Sequence, residues 1–190
     1  VITVFTDGSS RGNPGPGGWG SIIATKSYVY ELSGCEKVTT NNRMELLAIK
    51  EVLEFLLTHD QQGHKVVVHT DSQYFKNGFE KWVYGWQQRG WLTSKKEPVL
   101  NQDLWQPLLE MKPLFSDLSI VHVKGHIGIP GNEQADLLAT EAADTQTGKT
   151  NKYLRSTYTV DLSLSSVGTT SKRDGKDAVT SVPKKTKKTG

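Results

Sequence analysis

An α/β fold, with a mixed β-sheet flanked by helices, is what this sequence predicts. Three features predict it. β-Branched runs with two-residue alternation open the chain. Apolar residues at helical spacing fill residues 44–57 and recur further on. Two more β-type runs are set among those helical stretches. The 190 residues, 35% of them hydrophobic, suit one ordinary domain with some chain to spare. A domain of that size buries a core without covalent staples.

Residues 2–6 (Ile-Thr-Val-Phe-Thr) read as a strand that runs into the turn signal Asp7-Gly8-Ser9. Gly12-Asn13-Pro14-Gly15-Pro16-Gly17-Gly18 is too rich in Gly and Pro for helix or ladder and is expected as loop. Residues 19–25 and 28–38 alternate well enough for two more strands of an antiparallel meander. Asn42 precedes Glu45 by three residues, like a capping box, ahead of the helix at 44–57. Gly63 closes that unit. Residues 65–70 form a short buried-type strand, and Asp71-Ser72-Gln73 opens another helix. Residues 80–92 and 101–111 are two further helical stretches, 119–123 a fifth strand, and 132–143 a last helix.

Composition excludes several classes. A single cysteine, Cys35, rules out a disulfide framework and a Cys-rich zinc site. No stretch of 18 apolar residues occurs, so no membrane-spanning helix is expected. The start, Val1-Ile2-Thr3-Val4-Phe5, lacks the basic flank and long apolar run of a signal peptide. The default is a soluble protein of the reducing cytoplasm, with no membrane partner.

The formal net charge of +3 hides an asymmetry. Residues 1–144 hold 13 Lys and Arg against 17 Asp and Glu, a net −4. Residues 145–190 hold 10 against 3, a net +7. The division is therefore expected near residue 145, with a domain over 1–144 and a basic Ser/Thr/Lys-rich tail over 145–190. Residues 153–164 alternate weakly, enough for a strand on a partner surface. Most of the tail buries too little apolar area to offset its ordering entropy and is expected to be disordered. Such a tail serves either as an arm for nucleic acid or as a plain solvated extension.

The placement of the acids carries chemistry. Asp7 and Asp71 close the first and fourth strands, so parallel neighbours would set them side by side at the edge where α/β sheets build sites. Glu45 and Asp136 fall in early turns of two helices. Each acid alone has a structural explanation as a turn, cap or dipole residue. Together, three or four converging carboxylates would raise one another's pKa, and a divalent cation removes that penalty. Hard oxygen ligands favour Mg2+ or Mn2+.

At this point the residues carry a resemblance. Phe5-Thr6-Asp7-Gly8-Ser9, the Gly/Pro run at 12–18, Thr39-Thr40-Asn41-Asn42-Arg43-Met44-Glu45-Leu46, Thr70-Asp71-Ser72-Gln73-Tyr74, Val123-Lys124-Gly125-His126 and Gly131-Asn132-Glu133-Gln134-Ala135-Asp136 resemble type 1 ribonuclease H of the bacterial type, as does the span 82–105. The motifs are collinear and cover about residues 1–143. The resemblance implies a ribonuclease H-like fold with a five-stranded mixed sheet. It implies an endonuclease that cuts the RNA strand of RNA–DNA hybrids, leaving 5′-phosphate and 3′-hydroxyl ends. It implies Asp7, Glu45, Asp71 and Asp136 as ligands of two Mg2+ ions, with Mn2+ able to substitute, and His126 as a catalytic proton relay in its Gly-rich loop.

Asn41, Asn42 and Gln73 carry amides suited to 2′-hydroxyls and base edges. By resemblance, Asn13, Thr40 and Arg43 lie near a pocket for a DNA-strand phosphate. By resemblance too, Trp82 belongs to a basic protrusion that grips the hybrid. Well-known bacterial members carry a denser basic run where this chain has Gln87-Gln88-Arg89, which weakens the expected grip and leaves room for the tail to compensate. A monomer is expected. Two other readings stay open: the ribonuclease H domain of a retroelement reverse transcriptase, and a non-catalytic hybrid-binding module.

Overall fold

Parallel and antiparallel ladders meet at the first strand, and this decides where the acids fall. The computed structural model describes residues 1–124 and 128–163. His126 and residues 164–190, to which the sequence assigns a proton relay and most of the basic tail, lie outside the described residues. Strands β1 (Ile2–Ser10), β2 (Gly15–Ala24), β3 (Tyr28–Thr39), β4 (Lys65–Thr70), β5 (Asp117–His122) and β6 (Lys149–Leu154) form one sheet in the order β5-β4-β1-β2-β3-β6. β1–β4 and β4–β5 are parallel; β1–β2, β2–β3 and β3–β6 are antiparallel.

The sheet has six strands where the sequence predicts five. The sixth, β6, comes from residues assigned to the tail and pairs with this chain's own β3. Of residues 153–164, expected as a strand on a partner surface, only 153 and 154 belong to it, and Arg155–Thr157 form a 3-10 turn. Its sequence, Lys-Thr-Asn-Lys-Tyr-Leu, is mostly exposed. An edge strand held by backbone hydrogen bonds needs no apolar face, and its lysines discourage further pairing. That is why no apolar alternation marks it.

The Gly/Pro run also differs from expectation. β2 begins at Gly15, inside the segment expected as loop, with a register irregularity between Gly15 and Gly17. The reason is helix α5 (Pro130–Thr145) on that face. A Cβ on Gly20 would lie 2.5 Å from Leu138 Cβ and 2.6 Å from the Ala135 carbonyl oxygen, so the strand is glycine-rich where the helix presses on it.

On the opposite face lie α1 (Asn41–Thr58), α2 (Gln73–Asn77), α3 (Val83–Gln88) and α4 (Gln102–Met111). Thr40 caps α1 through Oγ1, which accepts from the Arg43 N–H at 3.2 Å, so the expected Asn42–Glu45 box is replaced by a cap two residues earlier. Ser72 caps α2, and a π turn over Gly78–Trp82 joins α2 to α3 without a break. The helical stretch expected to reach residue 92 stops at Gln88.

The main core packs α1–α4 against β1, β2 and β4, and a smaller one packs α5 against Phe5, Ile22, Ala24 and Val29. Trp105 is fully buried and stacks on Phe75 with ring centroids 6.0 Å apart. Trp105→Ala is expected to cost about 3–5 kcal/mol, read as a lower urea midpoint with little change in m-value. No helix among the described residues is long and apolar enough to cross a membrane.

Candidate active site

Strand register brings the first two acids together. β1 and β4 run parallel with Phe5 opposite His69, and two residues further on Asp7 and Asp71 are neighbours. Asp7 is interior to β1 rather than at its end, because pairing with β2 continues through Gly17 to Ser10. His69 is structural: it is buried, stacks on Phe5 at 4.8 Å and hydrogen-bonds the Val4 carbonyl through Nδ1 at 3.0 Å.

The third acid arrives by close approach of a helix. A Cβ on Gly8 would lie 2.5 Å from the Glu45 nitrogen and 2.6 Å from the Met44 carbonyl carbon. Glycine therefore follows Asp7 because the first turn of α1 rests directly on β1 there, and this lays Glu45 beside Asp7. One carboxylate oxygen from each of Asp7, Glu45 and Asp71 lies within 4.8 Å of the others. The fourth acid, Asp136, reaches Asp7 from α5, near enough to raise its pKa. All four predicted carboxylates thus come from separate elements to one place.

The cluster is electrostatically strained. The Asp7 carboxyl is pushed up to about 8, chiefly by burial and then by Asp71 and Asp136. Glu45 lies well above the usual carboxylate range, first through burial and then through Asp7 and Asp71. Asp7 Oδ1 accepts from the Gly8 N–H at 2.8 Å. Asp7 Oδ2 and Glu45 Oε1 are buried with no hydrogen-bond donor among the described residues. Buried, unpartnered carboxylate oxygens at this spacing fit a hard divalent cation, and Asp7, Glu45, Asp71 and Asp136 would hold it.

Beside this cluster lies a polar pocket of about 420 Å³ lined by Ser10, Gly12, Asn13, Thr40, Asn41 and Asn42. Four of these are predicted binding residues. Ser10 and Gly12 are not. Their part depends on the β1–α1 approach, where the Ser10 N–H donates to Asn41 Oδ1 at 2.6 Å. Arg43 does not line the pocket. Its guanidinium donates to Glu36 at 2.9 Å and to both oxygens of Asp103 at 2.9 and 2.7 Å, so it ties β3, α1 and α4 together. Gln73 is exposed at the start of α2, two residues beyond Asp71. Trp82 is 42% exposed and sits edge-on to Tyr74 at 6.2 Å. Asn132, in the first turn of α5, is fully buried with both amide atoms unpartnered among the described residues. A lone Asn in a helical pattern gives no sequence signal of that kind.

Thr40→Ala is expected to cost about 1 kcal/mol through the lost cap, read by thermal denaturation.

The comparisons with known proteins agree with this geometry. The RNase H family model matches residues 1–144. Ribonuclease H of the bacterium Novosphingobium aromaticivorans is 46% identical over 143 residues, which are 75% of this chain and 96% of that protein. Among solved structures, LC9-RNase H1, a type 1 RNase H with the type 2 active-site motif, superposes with a TM-score of 0.68 at 33% identity, over 78% of this chain and 74% of its own. LC11-RNase H1 in complex with RNA/DNA hybrid gives a TM-score of 0.54 at 28% identity, over 76% of this chain and 98% of its own. With four carboxylates gathered on the ribonuclease H topology and a family match spanning three quarters of its length, the chain belongs to the ribonuclease H family.

Proposed function

We propose that the chain hydrolyses the RNA strand of RNA–DNA hybrids internally, leaving 5′-phosphate and 3′-hydroxyl ends. The observation that carries this reading is the buried cluster of Asp7, Glu45 and Asp71, with Asp136 against Asp7. Two Mg2+ ions, replaceable by Mn2+, would supply the charge that acidifies a water and offsets the leaving 3′ oxygen. Asp7, at the centre of the four acids, fixes the site to β1, an inner strand paired on both sides. Glu45 and Asp136 bring carboxylates from helices on its two faces. His126 would accept or return a proton, and the family resemblance supports that role.

For substrate, Asn41, Asn42 and Gln73 would meet 2′-hydroxyls and base edges. The pocket of Asn13, Thr40 and Asn41 would receive a phosphate of the DNA strand, with Arg43 bracing its rim through Glu36 and Asp103. Trp82 would lie against the DNA sugars. The relative solved with RNA/DNA hybrid supports this class of partner. A monomer acting in the reducing cytoplasm suits the single thiol.

Residues 1–144 would carry catalysis, and the basic end of the chain would add sequence-independent contacts. Because Lys149–Leu154 belongs to the sheet, the deletion that tests this begins at residue 164. It removes a net charge of +5. It is expected to raise KM and flatten the salt dependence of hybrid binding while leaving kcat little changed. Unaltered affinity at both low and moderate salt would contradict the contribution.

Specificity is tested by offering labelled RNA–DNA hybrid, duplex DNA and duplex RNA with Mg2+. Cleavage of RNA in the hybrid alone is expected. Binding of hybrid without any cleavage would favour a non-catalytic module.

A further inference from the structure

The residues after α5 reach the active site indirectly. Glu31, in β3, is only 6% exposed and accepts three side-chain hydrogen bonds. The Tyr158 hydroxyl donates to Oε2 at 2.5 Å, the Tyr153 hydroxyl to Oε1 at 3.2 Å, and Gln134 Nε2 to Oε2 at 3.2 Å. Burial and the adjacent Glu31 push the Tyr158 hydroxyl well above its ordinary pKa, so it stays a donor. Two of the three donors come from β6 and the turn that follows it, and the third from α5.

That trailing segment is well anchored. Arg155 donates to the Thr25 carbonyl at 2.8 Å, and Tyr158 and Leu162 pack on the smaller core beside Val29. It forms a strap on the same face of the sheet as α5, sharing the smaller core with it.

Gln134 and Asp136 are two residues apart, so they project roughly 200° apart around the helix. Between them, the Ala135 carbonyl rests directly over Gly20, so this contact is the line about which the two flanks are set. One flank of α5 is thus clamped to β3 through Gln134, and the other carries Asp136 to Asp7. Apart from Asp136 itself, Gln134 makes the side-chain hydrogen bond that ties the first half of α5 to the sheet among the described residues.

We propose that the strap, acting through Tyr158, Tyr153 and Glu31 on Gln134, fixes the rotation of α5 and so positions Asp136 against Asp7. Gln134, Glu31 and Tyr158 are positioning residues, and the family match, which ends at residue 144, does not include the strap. The proposal rests on the four-carboxylate site being a metal site.

The test uses the full chain with Gln134→Leu, Tyr158→Phe and, as a stability control on the opposite face, Leu108→Ala. Mn2+ affinity is measured by calorimetry without substrate, alongside Tm, kcat and KM. Gln134→Leu and Tyr158→Phe are expected to weaken Mn2+ binding roughly tenfold. Their kcat should recover at saturating metal, with KM for hybrid unchanged. Leu108→Ala should lower Tm at least as much while keeping parental Mn2+ affinity. Parental affinity in both strap variants, with Tm alone lowered, would overturn the proposal and leave a structural strap. A parent chain that binds no Mn2+ would overturn the metal site itself, and the positioning role with it.

Discussion

Asp7→Asn is expected to abolish turnover and, in the same protein, to raise the melting temperature measured in EDTA. The two effects share a cause. Asp7 is the acid on which Asp71, Asp136 and Glu45 converge, so its loss removes a carboxylate that no neighbour can replace in the proposed metal site. A fall in kcat of at least ~10³-fold is expected, the equivalent of about 4 kcal/mol of transition-state stabilisation. Without metal, the same carboxylate is a burden. Its folded pKa of about 8 lies above its ordinary value of 3.8. The folded state therefore holds the proton more tightly than the unfolded chain, and stability is lost as pH rises from about 4 through about 8. The amide is neutral throughout. The Tm difference between variant and parent in EDTA should be small at pH 4 and largest above pH 8, with each kcal/mol relieved worth roughly 2–4 °C. Using the difference cancels other titrations, such as that of His69, which burial lowers. Scanning calorimetry across this range checks it. A variant–parent Tm difference that is the same at pH 4 and pH 9 would contradict the strain.

Gly8→Ala is the second large effect. The added Cβ would meet backbone atoms of Met44 and Glu45, which cannot rotate out of its way. Either β1 or the first turn of α1 must shift. Overpacking of this kind costs about 1–3 kcal/mol in stability. The cost to activity should be larger in proportion, about 10²-fold, because a displacement near 1 Å at Glu45 is enough to spoil the carboxylate geometry the proposed mechanism needs. The displacement also opens the Ser10–Asn41 bond, so KM should rise along with the fall in kcat. Full activity in Gly8→Ala would show that α1 can retreat without moving Glu45.

The four acids were legible as a group because each falls just after a β-type run or in an early helical turn. Asp7 and Asp71 follow β-type runs, and Glu45 and Asp136 lie in early helical turns, so their meeting needed only a parallel β1–β4 pair. What escaped the sequence is long-range or backbone-held. β6 is polar and exposed, and nothing in its pattern separates it from a tail. The glycines at 15–20 look like loop until α5 is seen pressing on them. By resemblance Arg43 is expected near a phosphate pocket, yet its partners Glu36 and Asp103 are brought to it by β3 and α4. The Glu31 hydrogen bonds join residues more than 100 positions apart, and no local pattern announces them. Within the 101–111 stretch the helix came out as expected, beginning at Gln102.

The most direct measurement is the fate of the RNA strand in a labelled RNA–DNA hybrid incubated with the full chain, with and without Mg2+. The carboxylate site predicts short RNA fragments bearing 5′-phosphate and 3′-hydroxyl ends, an intact DNA strand, and no cleavage in EDTA. Cleavage that survives EDTA, or RNA products ending in 2′,3′-cyclic phosphate, would contradict it.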